Sequence, residues 1–276
     1  VATLFGESPD RHVASADGTP IALFSTGVGP PLLLVHGTTA DHRTWRVVGP
    51  LLAARWRLHA IDRRGRGDSG DAARYVIERE LEDVAAVATV LAGEAGRPVD
   101  VVGHSLGGRI ALGASVRAAS LRRIVAYESA PVGTDADAKA DQRLLARLRA
   151  GLAAGDLEGM LAEFMTDGVG MPPDDLAAFR ADPIWPRRVA AAGTIVRELE
   201  ASRHAPAIAL TELGTVTIPV LQLVGSESPP TFRRGAVALD RLLADGRLTV
   251  IEGARHAAHH SHPRAFVAAV ERFLER

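Results

Sequence analysis

The stretch Val102-Gly-His-Ser-Leu-Gly-Gly108 decides how this chain is read. It follows the short run Pro98-Val-Asp-Val-Val102 and opens a helix-like segment, Gly107 to Val116. It is therefore G-x-S-x-G set between a strand and a helix. That setting stands a serine hydroxyl on a tight turn, facing away from the sheet edge. Gly103 and Gly107, two residues to either side of Ser105, let the strand and helix backbones pass closely. The helix aims its N-terminal amides at the place where negative charge would develop. Ser105 is thus the candidate nucleophile.

Outside this stretch, the composition narrows the possible functions. The 276 residues suffice for a large core. Apolar residues make up 47% and charged ones 24%, as in ordinary globular proteins. A net charge of −1, with both signs mixed, carries no nucleic-acid footprint and no basic membrane patch. No apolar run approaches the length of a membrane span. The sequence from Val1 to Pro9 lacks the basic and apolar regions of a secretion signal. There is no cysteine, so disulfides, thiolate metal sites and a cysteine nucleophile are excluded. These features lead to the expectation of a cytoplasmic protein that acts on a small molecule without nucleic acid, membrane or cofactor.

Short apolar runs alternate with helical patterns from residue 30 onward. Pro31–Val35, Arg57–Ile61, Val99–Val102, Arg122–Tyr127, Pro219–Val224 and Arg247–Ile251 read as strands, and most show no polar alternation, as in a parallel sheet covered on both faces. Trp45–Leu52, Val76–Leu91, Gly107–Ala118, Thr231–Leu243 and His262–Leu274 read as helices. The alternation predicts an α/β fold with a mostly parallel, doubly wound sheet. An antiparallel hairpin turning at Asp17-Gly18 is expected at one edge. Residues 132–206 break the rhythm and read as an inserted helical cap, with residues 1–131 and 207–276 as the core. Asp141–Ala150 and Asp156–Met165 are expected helices there, the first stopped by Gly155 and the second capped by Asp156.

Ligands bind at the carboxyl ends of the strands in such a sheet. Three further tips are informative. His36-Gly37-Thr38-Thr39 offers a glycine loop able to present amides to an oxyanion; the Thr38 and Leu106 amides are the expected pair, with His36 orienting the loop. His36 and Thr39 are also candidates for contact with substrate. In Asp62-Arg-Arg-Gly-Arg-Gly-Asp-Ser-Gly70 the glycines do not open a helix, so a dinucleotide site is not expected; Asp62 and Arg64 read as a pair that stabilises the loop, with Ser69 at the next turn. Glu252-Gly-Ala-Arg-His256 places a histidine on a loop after the last strand, where an imidazole can take the serine proton. His259, His260 and His262 lack carboxylates at ligand spacing, and no metal is expected.

With these four motifs in order, the chain resembles the α/β-hydrolase fold superfamily in its cap-bearing branch, from about residue 10 to residue 274. The resemblance implies a catalytic triad in the order serine, acid, histidine. The acid departs from the usual pattern. Where the superfamily commonly carries Asp, three residues after a glycine that follows the strand corresponding to Pro219–Val224, this chain has Ser228, with Glu227 one residue earlier. Glu128, which ends the preceding strand in Ala126-Tyr-Glu-Ser-Ala-Pro131, occupies a position used by other members. The expected triad is Ser105, Glu128 and His256, with Glu227 as the alternative acid. On this point, and in its Pro183-Ile-Trp185, the chain is also similar to cap-bearing lactonases that open the macrocycle of zearalenone, although its HG and GHSLGG forms differ from theirs. Trp185 is the one tryptophan of the cap. It either packs the cap or lines a cleft.

The function expected is a serine hydrolase that cleaves an ester or lactone bond of a hydrophobic small molecule through an acyl-enzyme. Carbon–carbon bond hydrolysis or perhydrolysis by the same triad is the rival within enzymes. A non-catalytic small-molecule receptor is the rival outside them.

Overall fold

The computed structural model describes residues 4–130, 133–203 and 205–275. In chain order its elements are β1 (Arg11–Ala14), β2 (Pro20–Thr26), β3 (Pro31–Val35), α1 (Gly49–Leu52), β4 (Arg57–Ile61), α2 (Ile77–Ala95), β5 (Val99–His104), α3 (Leu106–Ser115) and β6 (Leu121–Tyr127). There follow α4 (Asp135–Ala154), α5 (Leu157–Glu163), α6 (Pro173–Arg180), α7 (Trp185–Ala190), α8 (Ile195–Arg203), α9 (Leu210–Leu213), β7 (Val220–Gly225), α10 (Pro230–Asp240), β8 (Gly246–Ile251), α11 (Ala258–Ser261) and α12 (Pro263–Leu274).

The strands form one eight-stranded sheet in the order β1-β2-β4-β3-β5-β6-β7-β8. β1 pairs antiparallel with β2, and β2 antiparallel with β4; every later pairing is parallel. The doubly wound sheet and the edge hairpin are therefore as expected. In the hairpin turn Gly18 takes φ +82° and its N–H bonds the Ser15 carbonyl at 2.9 Å.

The apolar runs explain the layering. Side chains alternate across a strand, so a run apolar at every position feeds two cores. Leu33, Val35, Val101, Ile124 and Ala126 join Leu81 and Val84 of α2 and Ile110 of α3 on one face. Leu32, Leu34, Val102, Val125 and Tyr127 join Trp45 and the α12 residues Phe266 and Val270 on the other.

Between β6 and β7 lie only helices among the described residues, α4 to α9, and α4 to α8 share an apolar cluster of their own that includes Leu148, Met160, Leu161, Trp185 and Ile195. The expected boundary at 131/132 lies outside the described residues. Gly155 ends α4 at φ +73°, and the Asp156 carboxylate accepts from the Gly159 N–H at the start of α5, as the sequence predicts. Helix α4 begins six residues earlier than Asp141, because the Thr134 hydroxyl and the Asp137 carboxylate cap one another's amides. The helix expected over Trp45–Leu52 is instead two short pieces, a 3₁₀ turn at His42–Arg46 and α1. Pro50 has no N–H to donate into a continuing helix, so it starts a new one. Among the described residues no helix is long and apolar enough to cross a membrane.

Candidate active site

Three non-glycine residues among those described have positive φ: Thr39 at 60°, Ser105 at 53° and Glu128 at 48°. They stand just beyond β3, β5 and β6, three adjacent strands. Such conformations cost about 1–3 kcal/mol each, and they persist where the surroundings over-determine them. Around Ser105 the cause is visible. Its N–H bonds the Tyr127 carbonyl at 2.8 Å, and its ψ of −128° throws the chain into α3. A Cβ on Gly103 would lie 2.3 Å from the Gly108 Cα, and one on Gly107 would lie 2.3 Å from the His36 carbonyl oxygen. Only glycine lets the turn close this tightly.

Glu128 and His256 meet beside this turn. His256 Nδ1–H donates to Glu128 Oε2 at 2.6 Å. The carboxylate is 2% exposed as a residue, and its other oxygen accepts from the Gly225 N–H at 2.8 Å and from the Ser228 hydroxyl. The glycine that ends β7 and Ser228 thus both donate to the Glu128 carboxylate. Glu227 points away. Its side chain is 48% exposed and pairs with Arg255 at 2.7 Å.

The loop carrying His256 is held from below. The Tyr127 hydroxyl donates to the Arg255 carbonyl and accepts from the Ala258 N–H at 3.3 Å. His104 Nε2–H donates to the His256 carbonyl at 2.7 Å, and the Phe232 ring stacks on the His256 ring with centroids 4.5 Å apart. Burial, then the neighbouring His256, pushes the His104 imidazole well below its ordinary pKa, so it is a neutral strut at neutral pH. The Ser105 hydroxyl is not hydrogen-bonded to His256 in this structure. Catalytic contacts in resting sites are often longer than in the reacting complex.

The loop after β3 lies against the same turn. A Cβ on Gly37 would touch the Ser105 Cβ at 3.0 Å. His36 is fully buried; its Nδ1–H donates to the Gly37 carbonyl at 2.9 Å and its Nε2 accepts from the Arg63 N–H at 2.9 Å. Both ring nitrogens are committed to the loop, which leaves His36 as a brace and gives no support to its role in contacting substrate. The Thr38 and Leu106 amides have no hydrogen-bond acceptor among the described residues. Leu106 is the first residue of α3, where an amide has no partner within the helix. The buried Thr39 offers its hydroxyl to Arg188 of α7.

The loop from Asp62 to Gly70 corrects one expectation. Asp62 and Arg64 do not pair. Asp62 accepts from the His42 N–H at 2.8 Å, from His42 Nδ1 at 2.9 Å and from the Asp68 N–H at 3.0 Å. Arg64 reaches the other way, to Asp83 on α2 at 2.7 Å and to Asp17 at 3.0 Å. The two side chains leave the turn in different directions. Ser69 does sit at the next turn, donating to the Asp62 carbonyl and accepting from the Ala22 N–H at 2.8 Å.

The helices after β6 reach this rim through polar contacts. Glu198 of α8 pairs with Arg63 at 2.6 Å and with Arg66. Its burial opposes ionisation, but Arg63, Arg66 and the Thr38 hydroxyl outweigh that and hold the carboxyl below its ordinary range. Trp185 is 6% exposed and lies in the apolar cluster of these helices, edge-on to Phe179 with centroids 5.2 Å apart. Of its two readings, the structure favours packing. His259 is buried among Trp45, His104, His260 and Phe266. Among the described residues no group of three or more His, Asp or Glu is placed to hold a metal ion.

Sequence reasoning missed Ser228 as a donor, and it missed the supports His104, Tyr127 and Phe232. His104 adjoins Ser105, and Ser228 stands where an acid is usual, so both carried a signal of position. Phe232 carried none.

A model of the alpha/beta hydrolase family matches residues 32–270. The chain belongs to that family. It is 31% identical over 258 residues to the pimeloyl-[acyl-carrier protein] methyl ester esterase of Neisseria meningitidis serogroup B, covering 88% of this chain and 92% of the esterase. An alpha/beta hydrolase from Sphaerobacter thermophilus has 32% identity and superposes with a TM-score of 0.80, covering 96% of this chain and all of that one. The enol-lactonase of Burkholderia xenovorans, 22% identical with a TM-score of 0.70 over 96% of this chain and 100% of its own, shares the fold. This alpha/beta hydrolase is therefore an enzyme with esterase-type relatives.

Proposed function

We propose that this hydrolase cleaves an ester or lactone bond of a small molecule through a covalent serine intermediate, without a cofactor. The observation that carries the reading is the 2.6 Å hydrogen bond from His256 Nδ1 to Glu128, beside a serine held at φ 53°. That bond fixes the tautomer with Nε2 free to act as a base. The Ser105 oxygen attacks the carbonyl carbon and its proton passes to His256 Nε2. The oxyanion so formed accepts from the Thr38 and Leu106 amides. Collapse expels the alkoxide, which takes the proton from His256, and leaves Ser105 acylated. Water then attacks the acyl carbon, giving its proton to His256, and the proton returns to the Ser105 oxygen as the acid departs. Glu128 stays ionised throughout and steadies the imidazolium.

The relation to a methyl ester esterase supports ester chemistry over carbon–carbon cleavage. The test is hydrolysis of a short 4-nitrophenyl ester by the wild type and by Ser105→Ala. Turnover in the first, with a loss of about a thousandfold or more in the second, is expected for a triad nucleophile. A folded wild type with no turnover of any ester would favour the receptor reading.

A further inference from the structure

Buried guanidinium groups near the site mostly face carboxylates. Arg63 meets Glu80 and Glu198, Arg64 meets Asp83 and Asp17, and Arg66 meets Glu198. Arg188 of α7 does not. Among the described residues no carboxylate lies within 4.0 Å of it. Its Nη2 donates to the Thr44 hydroxyl at 3.0 Å and its Nη1 to the Thr39 hydroxyl at 3.5 Å, while its buried Nε has no partner among the described residues. The carboxylates nearest in effect, Asp41 and Asp182, are bonded to Arg43 and Arg46. Arg46 in turn leaves a buried Nη1 without a partner among the described residues. The Phe179 ring covers the Arg188 guanidinium at 5.8 Å.

The position is telling. Thr39 directly follows Thr38 of the oxyanion loop, and Thr44 lies 3.4 Å from both His259 Nε2 and His260 Nε2. Those imidazoles supply no negative charge. Burial lowers the Arg188 pKa to about 10, which still leaves it cationic at neutral pH. A desolvated cation with donors to spare and no counter-ion is costly unless an anion arrives. As a residue Arg188 is only partly buried, although its Nε is sealed from solvent.

We propose that Arg188 binds a carboxylate of the substrate, so that the enzyme's preferred esters or lactones also carry a free acid. This rests on the serine-hydrolase reading for its catalytic part only. The planar guanidinium suits a carboxylate, which it engages through two parallel N–H bonds. The apolar remainder of the substrate then spans from Arg188 to Ser105.

The experiment has two arms. In the first, kcat/KM is measured for methyl esters of straight-chain acids of four to seven carbons that end in carboxylate, and for the same esters ending in carboxamide. The wild type should prefer the carboxylate by about ten- to a hundredfold at its best chain length, the range of one charge-assisted hydrogen-bonding interaction. In Arg188→Met that ratio should fall toward one whatever the absolute rates, and Arg188→Lys should keep part of it. In the second arm, glutarate and adipate are titrated into Ser105→Ala, with and without Arg188→Met. Binding weakened about tenfold or more by the second change is expected. No wild-type preference, an unchanged ratio in Arg188→Met, or dicarboxylate binding indifferent to Arg188 would overturn the proposal. Arg188-dependent binding together with no ester turnover by the wild type would uphold the anion site and reject the serine-hydrolase reading instead.

Discussion

Glu128, at the tip of β6, accepts a 2.6 Å hydrogen bond from His256, on the loop after β8, across a separation of 128 residues. Its second oxygen is held by Gly225 and Ser228, so the carboxylate is bonded on both sides and has little freedom to turn. Exchanging Glu128 for Gln should lower ester turnover by about a thousandfold or more, because an amide can present an N–H to the imidazole and favour the wrong tautomer. Glu227→Gln, which removes one exposed partner of Arg255, should stay within a few-fold of wild type. Rates for both variants on one ester, after circular dichroism of each, decide between them. The opposite order would move the acid to Glu227.

Ser228→Ala removes one donor from Glu128 without touching His256. The expected effect is a drop in kcat of about ten- to a hundredfold, the size of one hydrogen bond to a charged group, with KM little changed. A change confined to KM would assign Ser228 to substrate contact.

The backbone at Ser105 is strained for any residue with a Cβ. Ser105→Ala keeps that strain and Ser105→Gly relieves it. The relief, about 1–3 kcal/mol, exceeds the entropy glycine gains when unfolded, about 0.5–1 kcal/mol. The glycine variant should therefore melt a few degrees above the alanine variant, on a scale of about 2–4 °C per kcal/mol for a chain of this size. Equal melting temperatures would mean that the turn is unstrained.

Several histidines are held neutral. Burial, then Arg57, takes His59 down to about 4; burial, then Arg46, takes His260 down to about 3; and His36, His104 and His259 lie well below their ordinary value of 6.5. With the folded pKa depressed, the unfolded chain binds more protons between these values and 6.5, so stability rises with pH across that window. The melting temperature should fall as pH drops from about 6.5 toward 4, through this term and in addition to any carboxylate effect. Replacing His260 with Gln should make that fall shallower; an unchanged slope would contradict the linkage.

The fold was legible because apolar runs at the strands and glycines at their tips are local signals. The candidate site was legible for the same reason: Ser105, Glu128 and His256, proposed as its triad, each end or follow a strand, and strand order brings the tips together. Partner choice was not local. Asp62 and Arg64 are two residues apart, yet the turn sends them to His42 and to Asp83. Arg188 reads as one more surface arginine of a short helix until Thr39 and Thr44 are seen beneath it. Trp185 showed its size and not its direction. It packs on Phe179, and its loss should destabilise these helices by about 3–5 kcal/mol.

The central claim is a covalent intermediate on Ser105. Its most direct test is intact and peptide mass spectrometry after brief exposure to a fluorophosphonate. The account predicts a single adduct on the peptide containing Ser105, absent in Ser105→Ala and slowed by at least a hundredfold in His256→Ala, since the base that activates the hydroxyl is gone. An adduct on another residue, or none on folded protein that still hydrolyses esters, would contradict it.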